Sequence, residues 1–542
     1  MSFREIDRRP GAMADAFTLV LLAAITVIAA LTFSDYGLGW DDFTHSQYGD
    51  LLYKYYASGM TNQKAFSFVN LYYYGGGFDL LANWLSRIFP FVDVFDIRRL
   101  LGGVVGITGL FVVWRIARRL SGPWGGFAAV ALLLICPLYY GHMFMNAKDA
   151  PFAVASAGLI YAMVRAFDEF PNPTPRTVIL FGLALGLAIG TRVMGLMSGV
   201  FIVTGIGFTL VAEARSLGLR PALGRALRFV GLLCLGLPLA YVVMGVIWPW
   251  GVAEPLNPLV ALKYYSHFWE VPWHEMFEGR PILVPDMPRS YVPTLFSVQM
   301  PELFLGLVIA GFAGAVVTAL FGKDKPARRA RILMVAVAAA FPVLLTVAAR
   351  PVVYNGIRHF VFITPALSIL GGFAAAWLWE KAQSLPRMAR AGVAAVFVLG
   401  VGLTAADFRS LHPYEYTYYN RIAGGIQRAD GQFMLDYWGL AFKQAAEELD
   451  EYVEQHRRSL PQGRKLRVAV CGPYFAAAAE LGPRYETTYD SSSADFYLKL
   501  GEFYCAEVKA PQLVKIEREG VTYATVYDVR GRPFPSVFAD RQ

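Results

Sequence analysis

The sequence predicts a polytopic α-helical membrane protein, with about 11 transmembrane helices and a C-terminal extracytoplasmic α/β domain. Three observations carry this. Of 542 residues, 56% are hydrophobic and only 17% charged, with a mean hydropathy of +0.42, which is less charge than a soluble domain carries. Apolar stretches of roughly spanning length recur along the first three quarters of the chain. Beyond residue 406 the pattern changes to charged helices alternating with short strands.

The apolar stretches fall near residues 15–33, 100–117, 123–140, 152–167, 177–196, 197–212, 229–248, 302–321, 332–349, 360–379 and 391–406. Between them lie basic clusters: Arg4, Arg8 and Arg9; Arg115, Arg118 and Arg119; Arg165 and Arg176; Arg215, Arg220, Arg225 and Arg228; Lys323, Lys325, Arg328, Arg329 and Arg331; Lys381, Arg387 and Arg390. Cytoplasmic loops keep an excess of Arg and Lys, and one in-out alternation satisfies every cluster. It puts the N-terminus in the cytoplasm and everything after Ala406 outside. The net charge of +8 is then mostly this rim, which argues against nucleic-acid binding. The first apolar run is long and has no small-residue cleavage site, so it reads as a retained anchor.

Residues 1–406 thus form a membrane domain and 407–542 a second domain. Within the first, residues 34–97 are too many for a simple connector. Tyr48–Tyr56 and Phe78–Leu85 read as amphipathic helices in the membrane interface, separated by Tyr72-Tyr73-Tyr74-Gly75-Gly76-Gly77 as a flexible turn. The stretch 248–301 is rich in aromatic residues, as in Tyr264-Tyr265-Ser266-His267-Phe268-Trp269, and reads as an interfacial loop or one that closes over a lipid. In the second domain, Phe442–Tyr452 is expected as a surface helix, 475–481 as an Ala-rich helix, and 466–471, 495–500 and 521–527 as strands. Cys136 and Cys234 fall in membrane segments. Cys471 and Cys505 share the outside domain, where pairing is permitted but not required. No Cys/His spacing has the form of a structural zinc site.

Charge beside an apolar segment is costly and points to function. Under the alternation above, Asp41, Asp42, Lys148, Asp149, Arg192, Arg358 and His359 all come out on the outer face. Asp149 precedes Pro151 at the start of a helix, and is either a helix cap or, with His142 and Lys148, part of a polar site. Arg358 and Arg192 are either headgroup-snorkelling side chains or phosphate ligands, for which the planar guanidinium fork is suited.

An acidic pair opening the first outer loop, a Lys-Asp-x-Pro element in the second, and Arg358-His359-Phe360 before the helix holding Pro365 together resemble the GT-C glycosyltransferases. The similarity is to the bacterial family 39 members, related to protein mannosyltransferases and aminoarabinose transferases. Met287-Pro288-Arg289-Ser290-Tyr291-Val292-Pro293 is similar to that group's Tyr-Pro loop. His412–Asn420 and Asp436-Tyr437-Trp438-Gly439 resemble the entry to the extracytoplasmic domain of a bacterial subset. The resemblance implies a multi-pass protein of the bacterial inner membrane that moves a sugar from a polyprenyl-phosphate donor to a lipid, glycan or protein acceptor on the periplasmic side. It implies Asp41 as general base, Asp42 as its orienter or a cation ligand, and Asp149 as the second-loop acid. Arg358, with His359 and Lys148, would hold the donor phosphate. His142, Arg192, Tyr74 and Tyr291 are further candidates for substrate contact. No cofactor is certain, and a divalent metal held by Asp42 and Asp149 stays open. One departure stands out: the aminoarabinose branch has a basic residue before a Pro pair in the first loop, where this chain has the Tyr72–Gly77 run, with Lys64 the nearest earlier cation. The rival classes are a secondary transporter, which should place its charges at mid-membrane on broken helices in two similar halves, and a lipid flippase.

Overall fold

The computed structural model describes residues 11–266 and 273–539. Arg4, Arg8, Arg9 and the run His267-Phe268-Trp269 lie outside the described residues. Nine helices among the described residues are long and apolar enough to cross a membrane: Ala12–Asp35, Val94–Ser121, Asp149–Asp168, Val193–Leu217, Leu219–Ile247, Glu302–Phe321, Pro326–Ala349, Arg358–Ala382 and Arg387–Leu411. Each coincides with an expected span.

The other two expected spans differ from the rest. Pro175–Thr191 has 17 residues, about 25 Å of helix, slightly less than the hydrocarbon thickness. The segment expected as one helix over 123–140 is two, Pro123–Leu134 and Pro137–Met145, bent by 63°. Pro137 removes an N–H and forces the preceding Cys136 into an extended conformation (φ −82°, ψ 107°), so the first helix stops there. The bend turns the short second helix, with His142, under the loop that holds Lys148 and Asp149.

The outer loop helices form as expected, over Asp42–Ala57 and Gly77–Ile88. The second exposes Leu81, Trp84 and Ile88 and buries Asp79 and Ala82, the spacing of an interfacial helix. Its buried carboxylate joins it to the bundle, because Asp79 bonds His45 Nδ1 and Arg98 Nη2, each at 2.7 Å. Burial alone would raise the Asp79 pKa, but the charges of His45 and Arg98 outweigh it and hold the group below its usual value; paired in this way, a buried charge is tolerated.

The Tyr72–Gly77 run is packed rather than flexible. The Trp248 indole N–H donates to Tyr72 O at 2.8 Å, and Tyr73 stacks on Tyr264 with ring centroids 4.3 Å apart. The aromatic stretch after Trp248 also contains a hairpin, strands β1 (His274–Phe277) and β2 (Arg280–Leu283), and a helix Tyr291–Gln299.

The C-terminal part holds a five-stranded sheet of β3 (Leu466–Cys471), β4 (Tyr485–Thr488), β5 (Phe496–Leu500), β6 (Gln512–Arg518) and β7 (Val521–Asp528), in the order β4-β3-β5-β7-β6. β3 pairs in parallel with β4 and β5, and β7 runs antiparallel to β5 and β6. Every residue of the central β5 is buried, as a strand covered on both faces requires. The helix Phe442–Gln455 packs with Phe442, Ala445, Ala446, Leu449 and Val453 inward. Cys471 and Cys505 form a disulfide, their Cα atoms 5.6 Å apart.

Charges at the other end of the bundle are paired among themselves. Arg118 makes two bonds of 2.8 Å to Asp15, and Asp168 accepts from Arg119 and Arg331. Asp168 ends the same 20-residue helix that Asp149 begins, so these clusters lie about 30 Å apart.

Candidate active site

Asp149 opens its helix because Asn146 caps it: Asn146 Oδ1 accepts the N–H groups of Lys148 (3.1 Å) and Asp149 (2.8 Å). That cap fixes the directions of the next two side chains. Lys148 reaches across to the first loop and donates to Asp41 Oδ2 at 2.9 Å. Asp149, 2% exposed, accepts from Asn146 Nδ2 at 2.8 Å and faces Arg192 Nη1 at 2.9 Å.

Arg358 completes the group. Its Nη1 lies 3.8 Å from Asp41 and 4.0 Å from Asp149, and its guanidinium sits between the rings of Tyr354 (4.9 Å) and Trp438 (4.7 Å). Tyr74 lies between the remaining cations, with Lys148 Nζ 5.0 Å and Arg192 Cζ 5.2 Å from its ring centre. Three cations thus face two carboxylates, leaving one positive charge in excess. Arg358 Nε and Nη1, Arg192 Nε and His359 Nδ1 are buried and have no hydrogen-bond partner among the described residues. Unpartnered polar atoms are costly to bury, and the guanidinium donors among them form a surface suited to an anion.

Asp41 is the most exposed member, at 37% of its side chain. Desolvation works against its charge, but Lys148 and Arg358 overcome that and hold its carboxyl well below the usual Asp range. Burial likewise disfavours the charge on Lys148, and Asp41 outweighs it, raising the ammonium pKa.

Other expected residues take different positions. Asp42 does not face this group; its carboxylate accepts the Gly39 N–H at 2.8 Å and closes the turn that presents Asp41. Burial raises its pKa against the pull of Arg98 and that N–H. Asp42 and Asp149 thus have separate partners, and no cluster of three His, Cys, Asp or Glu able to hold a metal occurs among the described residues. His142 is fully buried, with Nε2 2.9 Å from Tyr437 Oη and Nδ1 3.1 Å from Asn146 Nδ2, so it buttresses the Asn146 side chain. Tyr291 is also buried. Its hydroxyl donates to Glu275 and accepts the Gly356 N–H at 3.0 Å, while Glu275 accepts the Asn355 and Gly356 N–H groups at 2.8 and 3.2 Å. Asn355 and Gly356 have φ of +56° and +66°, a left-handed turn that this bracket holds two residues before Arg358. Lys64 is exposed; the cations beside the Tyr74 ring are Lys148 and Arg192.

Asn146, Glu275 and Tyr354 were not singled out from the sequence, and Trp438 was noted only within the run resembling the entry to the extracytoplasmic domain. Asn146 had a signal, an Asn three residues before an acidic helix start. Glu275 lies in a stretch read as an interfacial loop, and its burial under Arg358 has no mark in local pattern.

Among curated proteins nothing matches the chain significantly. In solved structures the chain is similar to ArnT from Cupriavidus metallidurans bound to undecaprenyl phosphate, at 15% identity over 94% of this chain and 97% of that one, TM-score 0.48. It is also similar to the archaeal oligosaccharyltransferase AglB from Archaeoglobus fulgidus, in complex with an inhibitory peptide and a dolichol-phosphate, at 12% identity over 90% and 70%, TM-score 0.47. A third is the arabinofuranosyltransferase AftD from Mycobacteria, at 12% identity over 94% and 41%, TM-score 0.42. A family model described as dolichyl-phosphate-mannose-protein mannosyltransferase matches residues 80–241, a stretch that contains His142, Lys148, Asp149 and Arg192 but neither Asp41 nor Arg358. Over that stretch the chain is similar to this family, and the Lys148-Asp149-Ala150-Pro151 element lies within it.

Proposed function

We propose that this chain is a membrane glycosyltransferase that moves a hexosyl or pentosyl group from a polyprenyl-phosphate donor to an acceptor hydroxyl at the outer face of the bacterial inner membrane. The observation that carries this is the pairing of one accessible carboxylate, Asp41, with an excess of buried cations, Lys148, Arg192 and Arg358, next to interfacial helices. The family match over 80–241 supports it. A sugar phosphodiester carries one negative charge, which the surplus cation offsets.

In this reading Asp41 takes the proton from the acceptor hydroxyl. The acceptor oxygen bonds the anomeric carbon, and the bond from that carbon to the phosphate oxygen breaks. Its electron pair leaves with the polyprenyl phosphate, whose growing charge Lys148 and Arg358 stabilise. Asp149 aims Arg192 and Arg358, and Asp42 sets the turn that carries Asp41. Lys148 and Arg358 hold Asp41 in an ion pair when no donor is present, so a bound phosphate draws these cations away and makes the carboxylate a stronger base when the substrate is in place.

Purified protein in lipid vesicles, given a polyprenyl-phosphate sugar and a hydroxyl acceptor, should release polyprenyl phosphate in step with product. Net movement of intact donor across the bilayer without release would favour a flippase instead. The orientation has its own test: a reporter fused after Gln542 should read periplasmic and one inserted at Lys325 cytoplasmic, and the reverse pattern would place Asp41 on the wrong side for this reaction.

A further inference from the structure

The indole of Trp438 is 2% exposed and touches both halves of the site. The Arg358 guanidinium lies 4.7 Å from its ring centre, and its five-membered ring packs so closely on Gly39 that a Cβ there would fall 1.7 Å from Cδ1. Gly39 stands two residues before Asp41, in the turn that Asp42 closes. The indole N–H has no hydrogen-bond partner among the described residues, so packing alone accounts for its place here.

The turn that carries Trp438 is fixed from several sides. Asp436 accepts the N–H groups of Gly439, Leu440 and Ala441 at 2.8, 3.0 and 3.0 Å, and also the Tyr416 hydroxyl. The neighbouring Tyr437 hydroxyl meets His142. A free arginine samples many rotamers, and ordering it on binding weakens affinity; a guanidinium clamped between two rings is ordered beforehand.

We infer that Trp438 is a positioning residue: it braces Arg358 against the Asp41 turn, so that chain beyond the last membrane helix completes the donor-phosphate site. The inference rests on the proposed role of Arg358.

The test uses the full-length protein and reads binding of polyprenyl phosphate together with KM for a polyprenyl-phosphate sugar. Trp438→Leu should weaken both by roughly 2- to 30-fold, the range of a desolvated cation–π contact, with a smaller change in kcat. Trp438→Phe, which keeps a ring face, should recover most of the loss. In an Arg358→Ala background, Trp438→Leu should have no further effect. Should Trp438→Leu fold poorly, Gly39→Ala, which displaces the indole, should show the same dependence on Arg358. Unchanged donor affinity in both Trp438→Leu and Gly39→Ala, or losses of equal size with and without Arg358, would overturn this inference alone. If Arg358→Ala itself left phosphate binding intact, the reading of the site would fall, and this inference with it.

Discussion

Asp41→Asn should lower sugar transfer by at least ~10²-fold, the lower range for a general base, without reducing protein yield. The amide keeps the shape and still fits beside Lys148, but it cannot accept the proton. Polyprenyl phosphate should bind at least as well as to the wild type, because Lys148 and Arg358 no longer have this carboxylate as a competing partner. The same two cations keep Asp41 ionised below the usual Asp range. In the wild type, kcat/KM, which reports the free enzyme, should therefore show no acid limb from this group down to about pH 5, well above an ordinary Asp pKa. Steady-state assays with a polyprenyl-phosphate sugar check both points. Wild-type turnover in Asp41→Asn would force the base to be reassigned. Asp42→Asn should cost less, since the Asp42 carboxylate holds the turn rather than the acceptor.

Arg358→Lys should lower kcat/KM for the donor by roughly 10- to 10²-fold, the scale of losing one charge-assisted hydrogen bond. Lysine keeps the charge, but an ammonium is not a plane that fits between Tyr354 and Trp438, and it cannot offer two parallel N–H groups. Both KM and kcat should suffer, because in the proposed mechanism the same contact grips the donor and stabilises the leaving phosphate. Near-normal activity in Arg358→Lys would mean that the side chain serves only as a buried counter-charge for Asp41 and Asp149.

The membrane part was legible because its signals are local: apolar length, basic clusters at alternate ends, and helical spacing in the loop around Tyr48 and Trp84. The strands at 466–471, 496–500 and 521–528 were legible for the same reason. β4 and β6 were not; Tyr485–Thr488 has four residues, and Gln512–Arg518 carries Lys515, Glu517 and Arg518 on an edge. In the site, sidedness gathered Asp41, Lys148, Asp149, Arg192 and Arg358 correctly into one cluster. It could not separate residues that face the cluster from those that support it. Asp42, His142 and Tyr291 belong to the second kind, and what distinguishes them is a long-range partner, Gly39 apart: Tyr437 for His142, and Glu275 for Tyr291.

The loop that presents Asp41 is anchored on parts of the chain made much later. Leu38 N–H donates to Glu480, 442 residues away, at 2.9 Å, Tyr36 to Glu415 at 3.1 Å, and Lys443 to Ser34 O. Asp41 emerges from the ribosome early, but its turn lacks these three anchors until the region from Glu415 to Glu480 has been synthesised and folded, tens of seconds later at common elongation rates. On the proposed reading, a nascent chain, or one cut short before Trp438, would thus hold most of its membrane helices without the anchors of the Asp41 turn, and should transfer no sugar while assembly is incomplete.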